Sequence, residues 1–199
     1  QVNVGVPDRT YFLGDRLSFD VGATYLAGGS LSRAGYSYYW AKMPVAFTPP
    51  GTRWEAFAFG PAGHGYRQTL STGEGALSPL GEVDIVQQST VDGVEGKPYR
   101  YELEVRVEDV DRQEIAARGS ALVHPAAFTI GATLSDDTQG YWTRFLPAGE
   151  EAEVRYVFVR PDGTPASPDL IADPAIQLIK HTWKVVQQRG VYGRINTRY

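Results

Sequence analysis

The stretch YRYELEVRV, residues 99–107, places an apolar side chain at every second position. Five apolar residues lie on one side of it: Tyr99, Tyr101, Leu103, Val105 and Val107. A strand would bury all of them on one face, whereas a helix with 3.6 residues per turn would spread them around its circumference. The other side alternates Arg, Glu, Glu and Arg, which is typical of a solvated sheet face with cross-strand ion pairs. The stretch therefore predicts a half-buried β-strand.

Short apolar stretches recur along most of the chain and predict further strands. They cover residues 1–6, 16–25, 37–41, 54–59, 83–88, 114–123, 128–134, 152–158 and 176–188. Clusters of Gly, Pro and Asp separate several of them and predict turns or loops at residues 49–51, 60–63, 73–75 and 161–163. With 22 Gly, 13 Pro and 12 Tyr among 199 residues, many short strands are favoured over a helical bundle. We therefore predict an all-β protein.

The strand pattern starts afresh after the predicted hairpin of residues 100–123, which His124 and Pro125 end. We predict two consecutive antiparallel β-sandwich domains, residues 1–125 and residues 126–199, the second of them shorter or incomplete. Residues 176–188 are compatible with a strand or a helix, and Trp183 favours the strand.

Composition and charge exclude several classes of function. The chain has no Cys, which excludes disulfides, Cys-ligated zinc and thiol nucleophiles. Its net charge is −4 and its Lys and Arg residues are scattered, so we expect no nucleic-acid partner. No apolar run approaches the roughly 18–20 residues that cross a bilayer, so we expect no direct membrane insertion. The chain opens on Gln1 and not Met, and we interpret it as a piece of a longer protein.

Two groups of carboxylates are candidates for calcium binding. One is the pair Asp136 and Asp137, and the other combines Glu108 with Asp109 and Asp111. Calcium needs several oxygens that converge on one point, and neither group has the Asp-x-Asp-x-Asp-Gly loop that achieves this. Asp is also a common turn residue, because its side chain bonds nearby backbone amides. We therefore predict no metal site.

The histidines, serines and Gly-rich loops show no catalytic pattern. His64, His124 and His181 lie far apart in three different contexts, so we interpret them as turn or surface residues. No Gly-x-Ser-x-Gly elbow surrounds any serine, including Ser71, Ser78 and Ser120. The loop of residues 60–65 is not placed between a buried strand and a helix, as a nucleotide-binding loop would be. We predict no catalytic residues and no cofactor, and therefore no enzyme.

A group of aromatic residues supports the main alternative function. The group comprises Tyr36, Tyr38, Tyr39, Trp40, Trp54, Phe57 and Phe59. Exposed on one face, these rings would form a stacking platform for sugars, as in a carbohydrate-binding or adhesin-like module of a secreted protein. A sandwich without disulfides needs the same rings in its core, where full burial of each gives on the order of 2 kcal/mol. We predict the core, and the exposure of the rings distinguishes the two.

Several stretches resemble a known family. VPDRTYFLGDRLSFDVGATYLAGG, with Tyr11, Gly14 and Asp15, resembles the start of a macroglobulin domain of the bacterial alpha-2-macroglobulin family. TGEGALSPLGEV is similar to a Gly-rich segment of that family, and YRYELEVRVEDVDRQEIAARGSALVHPAAFTIG to the hairpin that closes one domain and opens the next. AEVRYVFVRPDGTPA followed by HTWKVVQQRGVYG resembles the following domain. The likeness spans most of the chain.

This resemblance implies two immunoglobulin- or fibronectin III-like macroglobulin domains. It also implies a non-catalytic scaffold fragment of a broad-spectrum protease trap, an endopeptidase inhibitor of the cell envelope. The reactive thioester of such a trap needs a Cys, which this chain lacks, and we identify no bait region. The implied partners are neighbouring macroglobulin domains of the same parent chain and the trapped proteases. The implied location is periplasmic, cell-envelope or secreted.

Overall fold

The computed structural model describes residues 1–60, 65–90, 96–109, 111–134, 151, 153–167 and 169, and the backbone of residues 186–189 and 195–198. The chain divides into two compact units, Gln1–Ala166 and Ser167–Tyr199. The strands are β1 Val2–Gly5, β2 Tyr11–Phe12, β3 Arg16–Ala23, β4 Gly35–Pro44, β5 Ala58–Phe59, β6 Gln68–Ala76, β7 Glu82–Gln88, β8 Tyr99–Glu108, β9 Glu114–His124, β10 Thr129–Leu134, β11 Val154–Val159, β12 Val186–Arg189 and β13 Ile195–Arg198. One 3-10 helix covers Thr52–Trp54.

Two sheets of the first unit enclose its main core. The three-stranded sheet has the order β1-β3-β7, and the five-stranded sheet has the order β2-β9-β8-β4-β6. Phe19 of β3 meets Trp40 of β4 edge-on, with 5.5 Å between ring centroids, and Trp40 stacks on Tyr101 of β8 at 5.2 Å. Because residues from both sheets share one buried cluster, the arrangement is a β-sandwich. The predicted all-β sandwich fold is confirmed.

Strand β8 confirms the alternation in its sequence. Tyr99 is 6% exposed and the other four inward residues, Tyr101, Leu103, Val105 and Val107, are 0% exposed. On the outer face, Glu104 accepts hydrogen bonds from Arg106 two residues along the strand and from Arg118, its cross-strand partner on β9. Arg118 Nε lies 2.7 Å from Glu104 Oε2. The ion pairs expected from the Arg-Glu-Glu-Arg pattern are therefore present, within the strand and across it.

A third sheet of the first unit has the order β11-β10-β5. Its strand β5 comes from the long connection between β4 and β6, so residues from the first part of the sequence complete a sheet formed later in the chain. The chain passes from β9 to β10 through residues 125–128, next to the boundary that we predict between residues 125 and 126. That domain boundary stays a prediction.

The predicted strand at residues 54–59 is wrong over most of its length. The backbone amide of Trp54 bonds the carbonyl of Gly51, and that of Glu55 bonds the carbonyl of Thr52, so the chain forms a tight 3-10 turn. Extended structure is restricted to Ala58–Phe59. Instead of one strand partner, this stretch has two distant contacts, Trp54 with Gly163 and Phe59 with Gly131.

The predicted turn at residues 73–75 is also wrong, because these residues lie inside strand β6. Gly73 and Gly75 face the rings of Tyr38 and Tyr36 on β4. A Cβ atom on Gly73 would lie 2.5 Å from the Tyr38 ring, and one on Gly75 would lie 2.7 Å from the Tyr36 hydroxyl. Glycine is therefore needed here to make room for rings and not to turn the chain.

The second unit contains the described strands β12 and β13, which pair antiparallel with Val186 opposite Arg198. Most of the strand predicted at residues 176–188 lies outside the described residues, and Val186, Gln187 and Gln188 are strand as expected. Among the residues that the structure describes, no helix is long and apolar enough to span a lipid bilayer.

Candidate functional site

Of the carboxylates considered for calcium, Glu108 is the last residue of strand β8, and Asp109 serves in the turn that follows it. Asp109 Oδ1 accepts a hydrogen bond of 2.8 Å from the Tyr25 hydroxyl, and the Asp109 carbonyl accepts one from the amide of Arg112. The bond to Asp109 raises the pKa of Tyr25. In the described part of the chain, no three His, Asp or Glu side chains form a group that could hold a metal ion. Asp136 and Asp137 lie outside the described residues.

Of the three histidines, only His124 is described, while His64 and His181 fall outside the described ranges. His124 ends β9 and is 6% exposed, and its ring meets Phe47 edge-on at 4.7 Å between centroids. Burial lowers the pKa of His124, so the neutral imidazole is favoured in the fold. The sequence interpretation of His124 as a turn or surface residue is therefore wrong.

The serines considered as nucleophiles show structural or exposed positions. Ser78 Oγ accepts hydrogen bonds from the amides of Leu80 and Glu82, which closes the turn before β7. Ser71 lies half-buried in β6, and Ser120 is exposed on β9.

The aromatic group predicted for the core is mainly inward-facing. Trp40 and Trp54 are buried, and Tyr36, Tyr38, Phe57 and Phe59 are half-buried. Tyr39 is the one ring of the seven with substantial exposure, at 40%, and the Arg106 guanidinium lies 5.2 Å from its centroid. A single ring under a charged group is not a sugar-stacking platform, which needs several coplanar exposed rings. The burial of Trp40 and Trp54 confirms the core interpretation for these two.

The structure brings together a group of residues that sequence reasoning missed. Trp54 Nε1 and Arg53 Nη2 each donate a hydrogen bond of 3.0 Å to the carbonyl oxygen of Gly163, in the turn that follows β11. The Arg53 guanidinium also lies 4.4 Å from the Trp54 ring centroid. Pro50 approaches the same turn so closely that a Cβ on Gly163 would lie 2.2 Å from its carbonyl oxygen. We call these four residues, Pro50, Arg53, Trp54 and Gly163, the Gly163 junction.

The Gly163 junction depends on a glycine for two reasons. Gly163 has φ of +85°, a left-handed conformation that side chains with a Cβ rarely adopt, and it has no room for that Cβ. Its amide donates to the carbonyl of Arg160, which closes the turn. The only sequence signal was the predicted turn at residues 161–163, which gave no indication of its partner.

A second contact joins the same connection to the third sheet. Phe59 and Ala58 of β5 pair with Gly131 and Ala132 of β10. The Phe59 ring covers Gly131, where a Cβ would lie 2.5 Å from a ring carbon. Phe57 lies between the Trp54 and Phe59 rings, at 6.3 Å and 6.5 Å between centroids. The connection between β4 and β6 therefore holds the third sheet by a strand pair and by a hydrogen-bonded turn.

A crevice of about 440 Å³ lies beside these contacts, lined among others by Arg9, Phe47, His124, Pro161 and Asp162. Hydrogen bonds from the Thr164 hydroxyl and amide lower the pKa of Asp162, which keeps its carboxylate ionised. His124 makes ring contacts to Phe12 and to Phe47, and Phe47 also lines the crevice. The crevice wall therefore joins two parts of the fold, because the Phe47 ring of the β4–β6 connection packs on the buried His124 imidazole of the first sandwich.

Solved structures of bacterial alpha-2-macroglobulins are similar to this chain. Escherichia coli alpha-2-macroglobulin activated by porcine elastase matches with a TM-score of 0.62 and 16% identity, over 82% of this chain and 14% of that chain. The trypsin-activated Escherichia coli protein matches with a TM-score of 0.61 and 15% identity, over 100% and 14%. Salmonella alpha-2-macroglobulin reacted with methylamine matches with a TM-score of 0.59 and 14% identity, over 83% and 11%.

These likenesses show the fold, which is that of macroglobulin-like β-sandwich domains. The chain spans between 11% and 14% of the length of the chains in these three structures. No protein-family model matches the sequence, and no curated protein matches it.

Proposed function

We propose that this chain is a non-catalytic scaffold segment of a bacterial alpha-2-macroglobulin-like protease trap. The observation that carries the proposal is the agreement in fold over 82–100% of the chain with structures of alpha-2-macroglobulins that were activated by proteases. Proteins of low identity share folds across many functions, so the proposal also needs a physical role for this segment. The Gly163 junction supplies one.

The proposed physical role of the Gly163 junction is to transmit a displacement of one sheet to the others. A trap that encloses its prey must move whole domains, and this requires that each moving part be rigid. The Gly163 junction provides two hydrogen bonds of 3.0 Å to one carbonyl, and β5 adds strand pairing to β10. A displacement of the third sheet is therefore passed to the β4–β6 connection, and through the Phe47–His124 contact to the first sandwich.

The remaining parts of the proposal concern location and partners. We place the protein in the periplasm, the cell envelope or the secreted fraction, and its partners are neighbouring macroglobulin domains and, through the complete trap, proteases. The absence of Cys means that any thioester must lie in another part of the protein. This chain would then contribute shape and not covalent capture.

The test compares the isolated chain with a longer protein that contains it. Mixed with trypsin or elastase, the isolated 199-residue chain is expected not to slow cleavage of a bulky protein substrate, because it cannot enclose a protease. The longer protein is expected to block cleavage of the bulky substrate while a small peptide substrate is still cleaved. Stoichiometric inhibition by the isolated chain would contradict the scaffold role, and absence of trapping by the longer protein would contradict the trap.

Variants at the junction connect this test to the structure. In the longer protein, Gly163→Ala is expected to lower the number of protease molecules trapped per inhibitor, since the added Cβ separates Pro50 from the turn. Gly29→Ala is the matched control, because Gly29 also has a positive φ, of +95°, but no atom lies within 4 Å of its Cβ position. Equal trapping by both variants would show that the junction plays no part in the mechanism.

A further inference from the structure

The two edges of the five-stranded sheet differ in how they are protected. At one edge the short strand β2 pairs in parallel with the end of β9, through Tyr11 opposite Val123 and Phe12 opposite His124. At the other edge lies β6, which among the described strands pairs only with β4. Thr69, Thr72 and Glu74 of β6 are exposed. An open strand edge of this kind presents unpaired backbone groups that can pair with another chain.

The sequence of β6 has few of the features that normally prevent such pairing. Residues 68–76 read QTLSTGEGA and contain no Lys, no Pro and a single charge, Glu74. Lysines, prolines, inward-pointing charges and β-bulges at an edge are common protections against strand addition, and of these β6 has only a bulge, at Leu70. A second charged residue, Arg67, directly precedes the strand and pairs with Glu102 on the outer face of the sheet at 3.4 Å.

An irregularity in the pairing changes which residues share a face. Trp40 lies opposite Ser71, but its neighbour Ala41 lies opposite Thr69, so Leu70 is an extra residue in β6. Thr72 lies opposite Tyr39, which is on the same outer face as Ala41. In a regular strand, residues three apart point to opposite faces. Here the bulge places Thr69 and Thr72 on one face, together with Arg67 and Glu74.

We propose that β6 is a self-association edge, at which two copies of this chain pair their β6 strands antiparallel about a two-fold axis at Leu70 and Ser71. In this register Thr69 lies opposite Thr72 of the second copy, and Arg67 lies opposite Glu74 of the second copy. Both pairs match outer face to outer face, which a sheet continuing across the axis requires. The two-fold axis generates each pair twice, so two Arg–Glu pairs and two Thr–Thr pairs flank the contact.

Charge complementarity selects the second copy over other extended segments as the occupant. The only two charged residues in residues 67–76 are Arg67 and Glu74, of opposite sign, and this register brings each beside the other. Because of the bulge, Arg67 and Thr69 on one side of the axis are spaced on the outer face as Glu74 and Thr72 are on the other side. Two strands of identical sequence can therefore pair residue by residue. The proposal is independent of the protease-trap function, because it uses only the edge, the bulge and these two charges.

The experiment is sedimentation of the full 199-residue chain over a range of concentrations up to about 1 mM, the range in which weak association is measured. We expect a monomer–dimer equilibrium that weakens at high salt, since exposed ion pairs are screened. Glu74→Arg and Arg67→Glu should each weaken dimerisation by about tenfold or more, because both ion pairs become repulsive. A mixture of the two variants should restore it, since each charge then faces its opposite.

Glu82→Arg is the matched control, because Glu82 is an exposed glutamate at the start of β7, an edge strand of the other sheet. It makes the same change in net charge and is expected to leave the dimer unaffected. Thermal unfolding of each variant checks the fold. This check matters most for Arg67→Glu, because that substitution also places a second carboxylate beside Glu102, the present ion-pair partner of Arg67. The proposal is overturned by a chain that stays monomeric, by a dimer that the mixture fails to restore, or by equal loss in Glu82→Arg.

Discussion

Strand β8 and the connection between β4 and β6 are both rich in aromatic and apolar residues, yet only β8 folds as its sequence indicates. In β8 the five inward side chains are 0–6% exposed, as the alternation predicts. In the connection, Trp54 is also buried, but it lies in a 3-10 turn and bonds a carbonyl 109 residues away. Burial alone therefore does not distinguish a strand from a structured connection.

The difference lies in where each segment finds its partners. β8 lies between β4 and β9, and its inward face meets a core to which several strands contribute, so local period and tertiary packing agree. The connection meets β10 through β5 and the β11 turn through Arg53 and Trp54. Its conformation is set by a segment that the local sequence does not indicate. Substitutions in the two regions should therefore differ in both the size and the reach of their effects.

The largest effect is expected in β8. Leu103→Ala removes a side chain that is 0% exposed and leaves a cavity in the shared core. The loss in the free energy of unfolding should be about 2–5 kcal/mol, as for other large-to-small core changes. Urea unfolding followed by circular dichroism measures it, and the whole first sandwich should unfold at lower urea. A loss below about 1 kcal/mol would mean that this core adapts to the cavity, contrary to its close packing.

A smaller and more local effect is expected at the Gly163 junction. Gly163→Ala places a Cβ 2.2 Å from the Pro50 carbonyl oxygen and strains a residue at φ of +85°. The two segments must separate, at a cost of about 1–3 kcal/mol. Amide hydrogen exchange should rise in β5, β10 and β11 while β8 stays protected, because the first sandwich keeps its core.

Gly29→Ala separates the two causes of this effect. It has the same kind of backbone strain, at φ of +95°, without any atom within 4 Å of the added Cβ. Its cost should therefore be about 1 kcal/mol, with no change in exchange at β10 or β11. Equal amide hydrogen exchange at β10 and β11 in the two variants would contradict this prediction. It would mean that backbone strain, and not the contact with Pro50, explains the glycine, and that the junction does not hold the third sheet.

The sequence predicts this fold correctly where a residue pattern is compatible with only one kind of local structure. Alternating Tyr, Leu and Val over residues 99–107 has few readings other than a half-buried strand, and the fold class follows from several such stretches. Glycine, in contrast, occurs in several kinds of local structure. Gly73 lies in a strand under the Tyr38 ring, whereas Gly163 lies in a turn with positive φ, and a single sequence does not separate them. The candidate site could not be predicted because Trp54 and Gly163 lie 109 residues apart, and neither local sequence indicates the other as its partner.

His124 belongs to both regions, and it gives the smallest predicted effect. It ends β9 of the first sandwich, and its ring packs on Phe47 of the connection. Burial lowers the pKa of His124 in the fold, whereas an unfolded chain has a histidine pKa of about 6.5. Between these two values the unfolded state binds more protons, so stability is full above about pH 6.5 and falls as the pH decreases toward the folded pKa. The side chains of Asp8, Arg9 and Asp162 line the same crevice as His124. We expect the urea midpoint to decrease as the pH is lowered from 7.5 to 5.5. The His124→Phe variant, which keeps an aromatic ring against Phe47, is expected to lose the part of that decrease that His124 causes.

The difference between the two proteins isolates the effect of His124 from that of the other two histidines. An NMR titration of the ring protons gives the folded pKa directly, and a value at or above 6.5, or identical pH slopes in the two proteins, would contradict the prediction.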